Sequence, residues 1–160
     1  MIDSDLRDLY QEVILDHGRS PRHFGVLKAP SHEAQGHNPL CGDQVHLYLR
    51  ISPAGLVEDI AFEGKGCAIS IASASMMSDL ILGKTIIEAK TLAQAFYHLA
   101  KGEIVDGEVV SADLERIEVL SGVSQFPMRV KCATMAWHTF EAACCGARDA
   151  SDEAGERVLQ

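Results

Sequence analysis

The sequence predicts an α+β fold in which a small antiparallel sheet is covered by helices on one face. Two segments of alternating apolar and polar residues follow each other across a short turn, which is typical of a β-hairpin. Several segments with apolar residues at helical spacing flank this hairpin. Strands and crossover helices do not alternate along the chain, so we expect an antiparallel sheet and not a parallel one.

The first half of the chain contains one helix and the hairpin. Residues 3–17 form a predicted helix, because apolar side chains recur there every three or four positions. Residues 17–42 are rich in Gly, Pro, His and Ser and are predicted to form a long irregular connection. The hairpin follows, with strands in "DQVHLYLRIS" and "GLVEDIAFEGKG" on either side of the turn "SPAG".

The second half is predicted to be helical. "AISIASASMMSDLILG" is a predicted helix with small residues on one face and a glycine stop, and "TIIEAKTLAQAFYHLAKG" is a second. A short helix is expected at residues 113–120, and a last one begins at Pro127. We expect one domain over residues 1–146 and a polar tail over residues 147–160.

Composition and charge restrict the class of function. The 160 residues are 47% hydrophobic and 23% charged, as in an ordinary globular domain. The net charge of -9 disfavours nucleic acid as a partner, and no apolar segment has the length of a membrane span. The N-terminus lacks the pattern of a signal peptide, so we expect a cytoplasmic protein. Five cysteines, an odd number, then favour metal binding or thiol chemistry over a disulfide framework.

Three of the cysteines lie where one predicted element gives way to another. Cys41 precedes the first strand, Cys67 lies between strand and helix, and Cys132 lies in the first turns of the last helix. A helix N-terminus favours a thiolate at Cys67 and Cys132, and Gly42 would let Cys41 and Asp43 turn toward one ion. Three thiolates and one carboxylate suit tetrahedral zinc.

The basic residues next to these cysteines could balance the negative charge of such a site; they are Lys65, Arg129 and Lys131. Spacing alone does not establish the site, because 26 positions separate Cys41 from Cys67 and 65 separate Cys67 from Cys132. On spacing alone, unconnected buried cysteines and an aspartate that caps a turn remain the simpler interpretation.

Five segments, in order from residue 9 to residue 137, resemble the IscU-like family of iron-sulfur cluster assembly proteins. They are "LYQEVILDH", "SPRHFG", "NPLCGDQV", "FEGKGCAIS" and "RVKCATMAW". The resemblance implies a three-stranded antiparallel sheet packed by helices. It also implies one metal site formed by Cys41, Asp43, Cys67 and Cys132.

Two departures from the scaffold branch of the family make the chain more similar to the SufU branch. Lys131 precedes Cys132 where scaffolds carry a histidine ligand, and an acidic segment is inserted at about residues 102–122. The "LPPVK" motif by which chaperones recognise scaffolds is also missing from the sequence.

The SufU resemblance implies a sulfur carrier and desulfurase activator and not a stand-alone enzyme. Cys41, a zinc ligand, would take persulfide sulfur from a pyridoxal-phosphate cysteine desulfurase of the SufS type. The sulfur would then pass to a downstream iron-sulfur scaffold complex. Arg129 is expected to stabilise the freed Cys41 thiolate or to dock the partner.

Three alternatives remain open at this stage. The chain could itself be a scaffold that binds iron or an iron-sulfur cluster, because the same donors suit iron. It could be a cysteine hydrolase with a Cys and His pair, although no local signature supports this. The zinc site could also be purely structural, in which case Cys41→Ala would unfold the domain without a separate transfer defect.

Overall fold

The computed structural model of the chain describes residues 4–39, 42–103, 105, 109, 111–146 and 149–150. In chain order, the elements are α1 (Ser4–Arg19), β1 (His32–Asn38), β2 (Asp43–Ile51), β3 (Val57–Lys65), α2 (Ala68–Ile81), α3 (Ile86–Ala100), α4 (Ser111–Ile117), a 3-10 helix (Glu118–Gln125), α5 (Pro127–Cys144) and β4 (Asp149–Ala150).

The sheet has the strand order β3-β2-β1-β4. Its three long strands are antiparallel, which confirms the predicted sheet, and the two residues of β4 pair parallel with β1. β4 falls within the segment predicted to be a polar tail, of which residues 147, 148 and 151–160 lie outside the described part of the chain. Helices α2 and α5 pack against the sheet and against each other. The largest core side chains, among them Phe62, Trp137 and Phe140, lie between these layers.

The prediction of an irregular connection over residues 17–42 is wrong where it includes β1. The inward-facing residues of this strand are Ala34, Gly36 and Asn38, none of which is a large apolar residue. A Cβ added to Gly36 would lie 2.1 Å from the hydroxyl oxygen of Thr139, because α5 approaches β1 closely at this point. The strand therefore lacks the alternation of large apolar residues by which strands are found in a sequence.

The other predicted elements are confirmed, with one change of type. The short helix expected at residues 113–120 is α4 up to Ile117 and continues as a 3-10 helix. Pro127 occupies the first turn of α5, where its missing N–H costs no hydrogen bond. In the described part of the chain, no helix is both long enough and apolar enough to cross a membrane.

A buried histidine connects α1 to α2. The side chain of His17 is largely buried, and its Nδ1 lies 2.7 Å from the Ser75 hydroxyl oxygen. The same hydroxyl accepts the backbone N–H of Arg22 at 2.8 Å. Burial lowers the pKa of His17, with the nearby Arg22 charge acting in the same direction. The neutral imidazole is therefore the form that suits this junction.

A buried carboxylate connects α3 to α5. The Tyr97 hydroxyl donates to Glu141 Oε2 at 3.1 Å, and the Gln94 side-chain amide donates to Glu141 Oε1 at 3.2 Å. Burial raises the pKa of Glu141, although both hydrogen bonds act in the opposite direction. Glu141 therefore joins the two helices at some cost in desolvation.

Candidate metal centre

Three of the predicted ligands meet at one end of the sheet. Asp43 is the first residue of β2, Cys67 is the N-cap of α2, and Cys132 lies in the second turn of α5. A carboxylate oxygen of Asp43 and the Sγ atoms of Cys67 and Cys132 all lie within 4.8 Å of one another. The fold thus brings together residues that are far apart in sequence and forms a possible metal site.

The carboxylate of Asp43 is held in place by the start of α2. Asp43 is 1% exposed, and its Oδ1 accepts the backbone N–H of Cys67 at 2.9 Å. The Cys67 thiol lies 3.5 Å from the second oxygen, Oδ2. The N-terminus of a helix stabilises a negative charge, which suits a buried carboxylate at this position.

Gly66 allows this close approach. It adopts a φ of +149°, and a Cβ at this position would lie 2.1 Å from Asp43 Oδ1 and 3.0 Å from Asp43 Cα. Only glycine can occupy this backbone conformation at such a distance from β2 without strain. In the sequence, the glycine just before Cys67 in "GKGC" is the signal that can indicate such a close backbone approach.

The two sulfur atoms differ in access to solvent. Cys67 is exposed, whereas Cys132 is buried at 5% exposure. None of the four cysteines that the structure describes forms a disulfide bond. The site can therefore be reached from the Cys67 side, while Cys132 forms its inner wall.

The spacing of the three donors is compatible with a tetrahedral metal ion such as zinc. With zinc-ligand distances of about 2.3 Å for sulfur and 2.0 Å for oxygen, tetrahedral angles place sulfur and oxygen about 3.5 Å apart and two sulfurs about 3.8 Å apart. The distance from Cys67 Sγ to Asp43 Oδ2 is 3.5 Å, and no pair in the group exceeds 4.8 Å. Small side-chain adjustments would bring all three donors to ligand distance.

Cys41, the fourth predicted ligand, lies outside the described residues. The described residues on either side of it are tied to the site. Asn38 pairs with Asp43 across β1 and β2, and the backbone N–H of Gly42 donates to the carbonyl of Asn38 at 2.8 Å. The connection that contains Cys41 thus begins and ends next to the backbone of Asp43.

The predicted cations lie on the exposed side of this region. Arg129 precedes Cys132 by three residues, so both lie on one face of α5, and its guanidinium carbon lies 5.3 Å from the centre of the Phe126 ring. Lys65 and Lys131 are exposed and are neighbours in sequence of Gly66 and Cys132. Positive side chains therefore lie close in sequence to both cysteines, with Lys65 at the end of β3 and with Arg129 and Lys131 on α5.

The remaining two cysteines are not part of this site. Cys144 and Cys145 follow Cys132 by about three turns of helix, at the far end of α5. Burial raises the pKa of the Cys144 thiol to about 12. A thiol of this kind is a poor nucleophile at neutral pH.

The sequence and the fold match a known family. The family model described as "NifU-like N terminal domain" matches residues 9–133. The chain belongs to this family.

Relatives within the family carry two different functional names. The chain is 44% identical over 138 residues to "Zinc-dependent sulfurtransferase SufU" of Bacillus subtilis (strain 168), covering 86% of this chain and 90% of the relative. It is 40% identical over 140 residues to "Iron-sulfur cluster assembly scaffold protein IscU" of Streptococcus pyogenes serotype M1, covering 88% and 85%. The chain thus resembles proteins of iron-sulfur cluster assembly from both branches.

The fold agrees with this assignment. The crystal structure of FiSufU from the thermophile Fervidobacterium islandicum AW-1 matches with a TM-score of 0.75 and 34% sequence identity, covering 86% of this chain and 97% of that one. The resemblance to the IscU-like family and its SufU branch is therefore confirmed.

Proposed function

We propose that this protein is a zinc-bound sulfur acceptor in iron-sulfur cluster assembly. Cys41 takes sulfur from the persulfide of a SufS-type cysteine desulfurase, and the sulfur then passes to the cluster assembly machinery. The observation that carries the proposal is the convergence of Asp43, Cys67 and Cys132 within 4.8 Å of one another, beside the connection that contains Cys41. The similarity to the Bacillus subtilis protein named a zinc-dependent sulfurtransferase supports zinc as the metal.

Asp43, Cys67 and Cys132 would hold the zinc ion, and Cys41 would be the fourth ligand. Two peptide units separate Cys41 from Asp43, so their Cα atoms can be no more than roughly 7 Å apart. Bound Zn²⁺ keeps its thiolate ligands deprotonated at neutral pH. Asp43 at the start of β2 and the two cysteines on α2 and α5 belong to regular secondary structure and would remain on zinc. Cys41 would be the ligand that leaves.

The transfer itself is a thiol-persulfide exchange. The Cys41 thiolate attacks the outer sulfur of the desulfurase persulfide and forms a new S–S bond with it. The S–S bond within the donor persulfide breaks, and the desulfurase cysteine leaves as a thiolate. The outer sulfur keeps its proton. Because one S–S bond replaces another, its oxidation state does not change, and no external oxidant or reductant is needed. Cys41 then carries the sulfur as a persulfide.

Arg129 is the group we assign to the charge that develops in this exchange. It is exposed and lies on the same face of α5 as Cys132. A guanidinium there would stabilise either the freed Cys41 thiolate or an anionic group of the incoming partner. Replacement of Arg129 by glutamine should therefore slow sulfur transfer while leaving zinc content unchanged.

The proposal is tested by following sulfur on the protein. Purified protein is incubated with a cysteine desulfurase and L-cysteine, and the peptide that contains Cys41 is then analysed by mass spectrometry. We expect one additional sulfur atom on Cys41, and loss of desulfurase stimulation in Cys41→Ala but not in the matched control Cys144→Ala. If Cys41→Ala accepts sulfur and stimulates the desulfurase fully, the proposal is wrong.

The second candidate function is a scaffold for an iron-sulfur cluster. It is favoured by the 40% identity to the Streptococcus pyogenes protein named a scaffold, and thiolate ligands with one carboxylate also suit iron. Lys131 counts against it, because the scaffold branch has a histidine ligand at this position. Anaerobic reconstitution separates the two: a stable cluster with visible absorption that transfers to an apo-protein would favour the scaffold.

A further inference from the structure

We infer that Ser73 is a positioning residue that sets the distance between Cys67 and Cys132. Ser73 lies on α2, is fully buried, and contacts α5 through two hydrogen bonds. Its hydroxyl donates to the backbone carbonyl oxygen of Ala133 at 2.5 Å and accepts the indole N–H of Trp137 at 3.1 Å. A carbonyl can only accept and an indole N–H can only donate, so both roles of the hydroxyl are fixed.

The hydrogen bond to Ala133 lies next to the ligand on α5, and Ser73 itself lies on the same helix as the ligand Cys67. Ala133 directly follows Cys132, so the first bond restrains the backbone of α5 next to this ligand. Ser73 follows Cys67, the N-cap of α2, by six residues, or about 9 Å along the helix axis. A shift of α2 along or away from α5 would therefore change the separation of the two sulfur atoms directly.

Several buried residues close in sequence to Ser73 on α2 and to Ala133 on α5 are small, alongside the large side chain of Trp137. Ala72, Ala74, Ala133 and Ala136 are all buried in α2 and α5. Methyl groups allow two helices to slide with little change in contact, whereas a buried hydroxyl must keep its partners or be left unsatisfied. Ser73 thus provides the directional contact that a run of small residues lacks.

The zinc readout of this inference rests on the proposed function, so the experiment has a second readout that does not involve zinc. Ser73→Ala is compared with Ser78→Ala, a matched control that removes another buried hydroxyl of α2. The Ser78 hydroxyl donates to the carbonyl of Ser75 in its own helix and to that of Arg22, and not to α5. Both variants should lose similar thermal stability.

Zinc affinity is measured by competition with a chromophoric chelator. We expect Ser73→Ala to bind zinc about 10–100-fold more weakly than the unsubstituted protein, as is usual when a residue that orients ligands is removed. Ser78→Ala should bind zinc within about 3-fold of it. Equal zinc affinities of the two variants would overturn the inference.

The second readout is thiol crosslinking in the metal-free protein. Dibromobimane joins two neighbouring thiols, and the Cys67–Cys132 product is identified by peptide mass. We expect a lower yield of this product in Ser73→Ala than in Ser78→Ala; an unchanged yield contradicts the inference. If the unsubstituted protein binds no zinc, the proposed function fails, while this yield still decides the role of Ser73.

Trp137→Phe provides a variant that keeps the fold if Ser73→Ala does not. It removes the indole N–H but retains an aromatic ring where Trp137 stacks on Phe96, with ring centres 4.7 Å apart. The hydrogen bond from Ser73 to Ala133 remains in this variant. Zinc affinity and crosslinking yield should therefore both fall, but by less than in Ser73→Ala. No change in either quantity would contradict the inference.

Discussion

Gly66→Ala should damage the candidate metal centre more than substitution of any other glycine that the structure describes. The new Cβ would lie 2.1 Å from Asp43 Oδ1 and 3.0 Å from Asp43 Cα. Because Asp43 Cα belongs to β2, the clash cannot be relieved by a side-chain rotation alone. The carboxylate must retreat and lose the N–H of Cys67, which it now accepts at 2.9 Å.

The expected cost has two parts. An unfavourable φ at a non-glycine residue costs about 1–3 kcal/mol. Loss of a hydrogen bond to a charged group costs about 1.5–3 kcal/mol. Together they lower the free energy of unfolding by roughly 2.5–6 kcal/mol, and displacement of a ligand should lower zinc affinity by about 100-fold.

Gly55→Ala is the matched control for Gly66→Ala. Gly55 also has a positive φ, of +86°, but a Cβ there would meet nothing within 4 Å. It should therefore cost only the backbone term and leave zinc affinity unchanged. Urea denaturation and chelator competition on both variants give the two quantities. Equal zinc affinity for Gly66→Ala and Gly55→Ala would refute the role assigned to Gly66.

Three further predictions concern the rest of the fold. Burial lowers the pKa of His17, so as the pH falls the imidazole takes up its proton in the unfolded state before it does so in the folded state. The free energy of unfolding should therefore fall as the pH drops from about 7 to 5, and it should fall less in His17→Gln. Burial raises the pKa of Glu141, so the buried charge of this carboxylate lowers the free energy of unfolding near pH 7. Below about pH 4 the carboxyl group is protonated in both states and this cost vanishes. Glu141→Gln should therefore be more stable than the unsubstituted protein near pH 7 only. Asp113→Asn removes the 2.8 Å ion pair with Lys84 and should cost about 1 kcal/mol, with faster hydrogen exchange in α4.

For each of these three predictions, one result would contradict the reasoning. Denaturation curves that shift equally with pH in His17→Gln and the unsubstituted protein would exclude His17 as the source of acid sensitivity. A lower stability of Glu141→Gln near pH 7 would mean that its hydrogen bonds outweigh desolvation. Unchanged exchange in α4 would mean that the ion pair does not hold this helix.

The sequence predicts the elements in which large apolar residues carry the pattern. Leu47, Leu49 and Phe62 alternate along β2 and β3, so the hairpin is recognisable without a structure. β1 is not, because α5 lies against Gly36 too closely for any side chain to be present. The spacing of apolar residues predicts an element only where its buried face is filled by large apolar side chains.

The candidate site could be predicted only in part, because sequence spacing does not show which residues come together in the fold. Spacing does not connect Cys67 with Cys132, which are 65 positions apart, and their grouping with Asp43 came from the resemblance to a family. The structure adds their proximity, within 4.8 Å, and the residues that produce it. Ser73 has no side-chain type that suggests a metal site, so its contribution is visible only in three dimensions, whereas the only sequence signal of Gly66 is its place just before a candidate ligand.

The central claim is most directly tested by measuring metal and sulfur on the same preparation. Zinc content is determined for the native protein, which is then incubated with a cysteine desulfurase and L-cysteine before the mass of the Cys41 peptide is measured. We expect one zinc ion per chain and one added sulfur atom on Cys41. A protein without zinc, or one whose added sulfur lies on a different cysteine, would contradict the account.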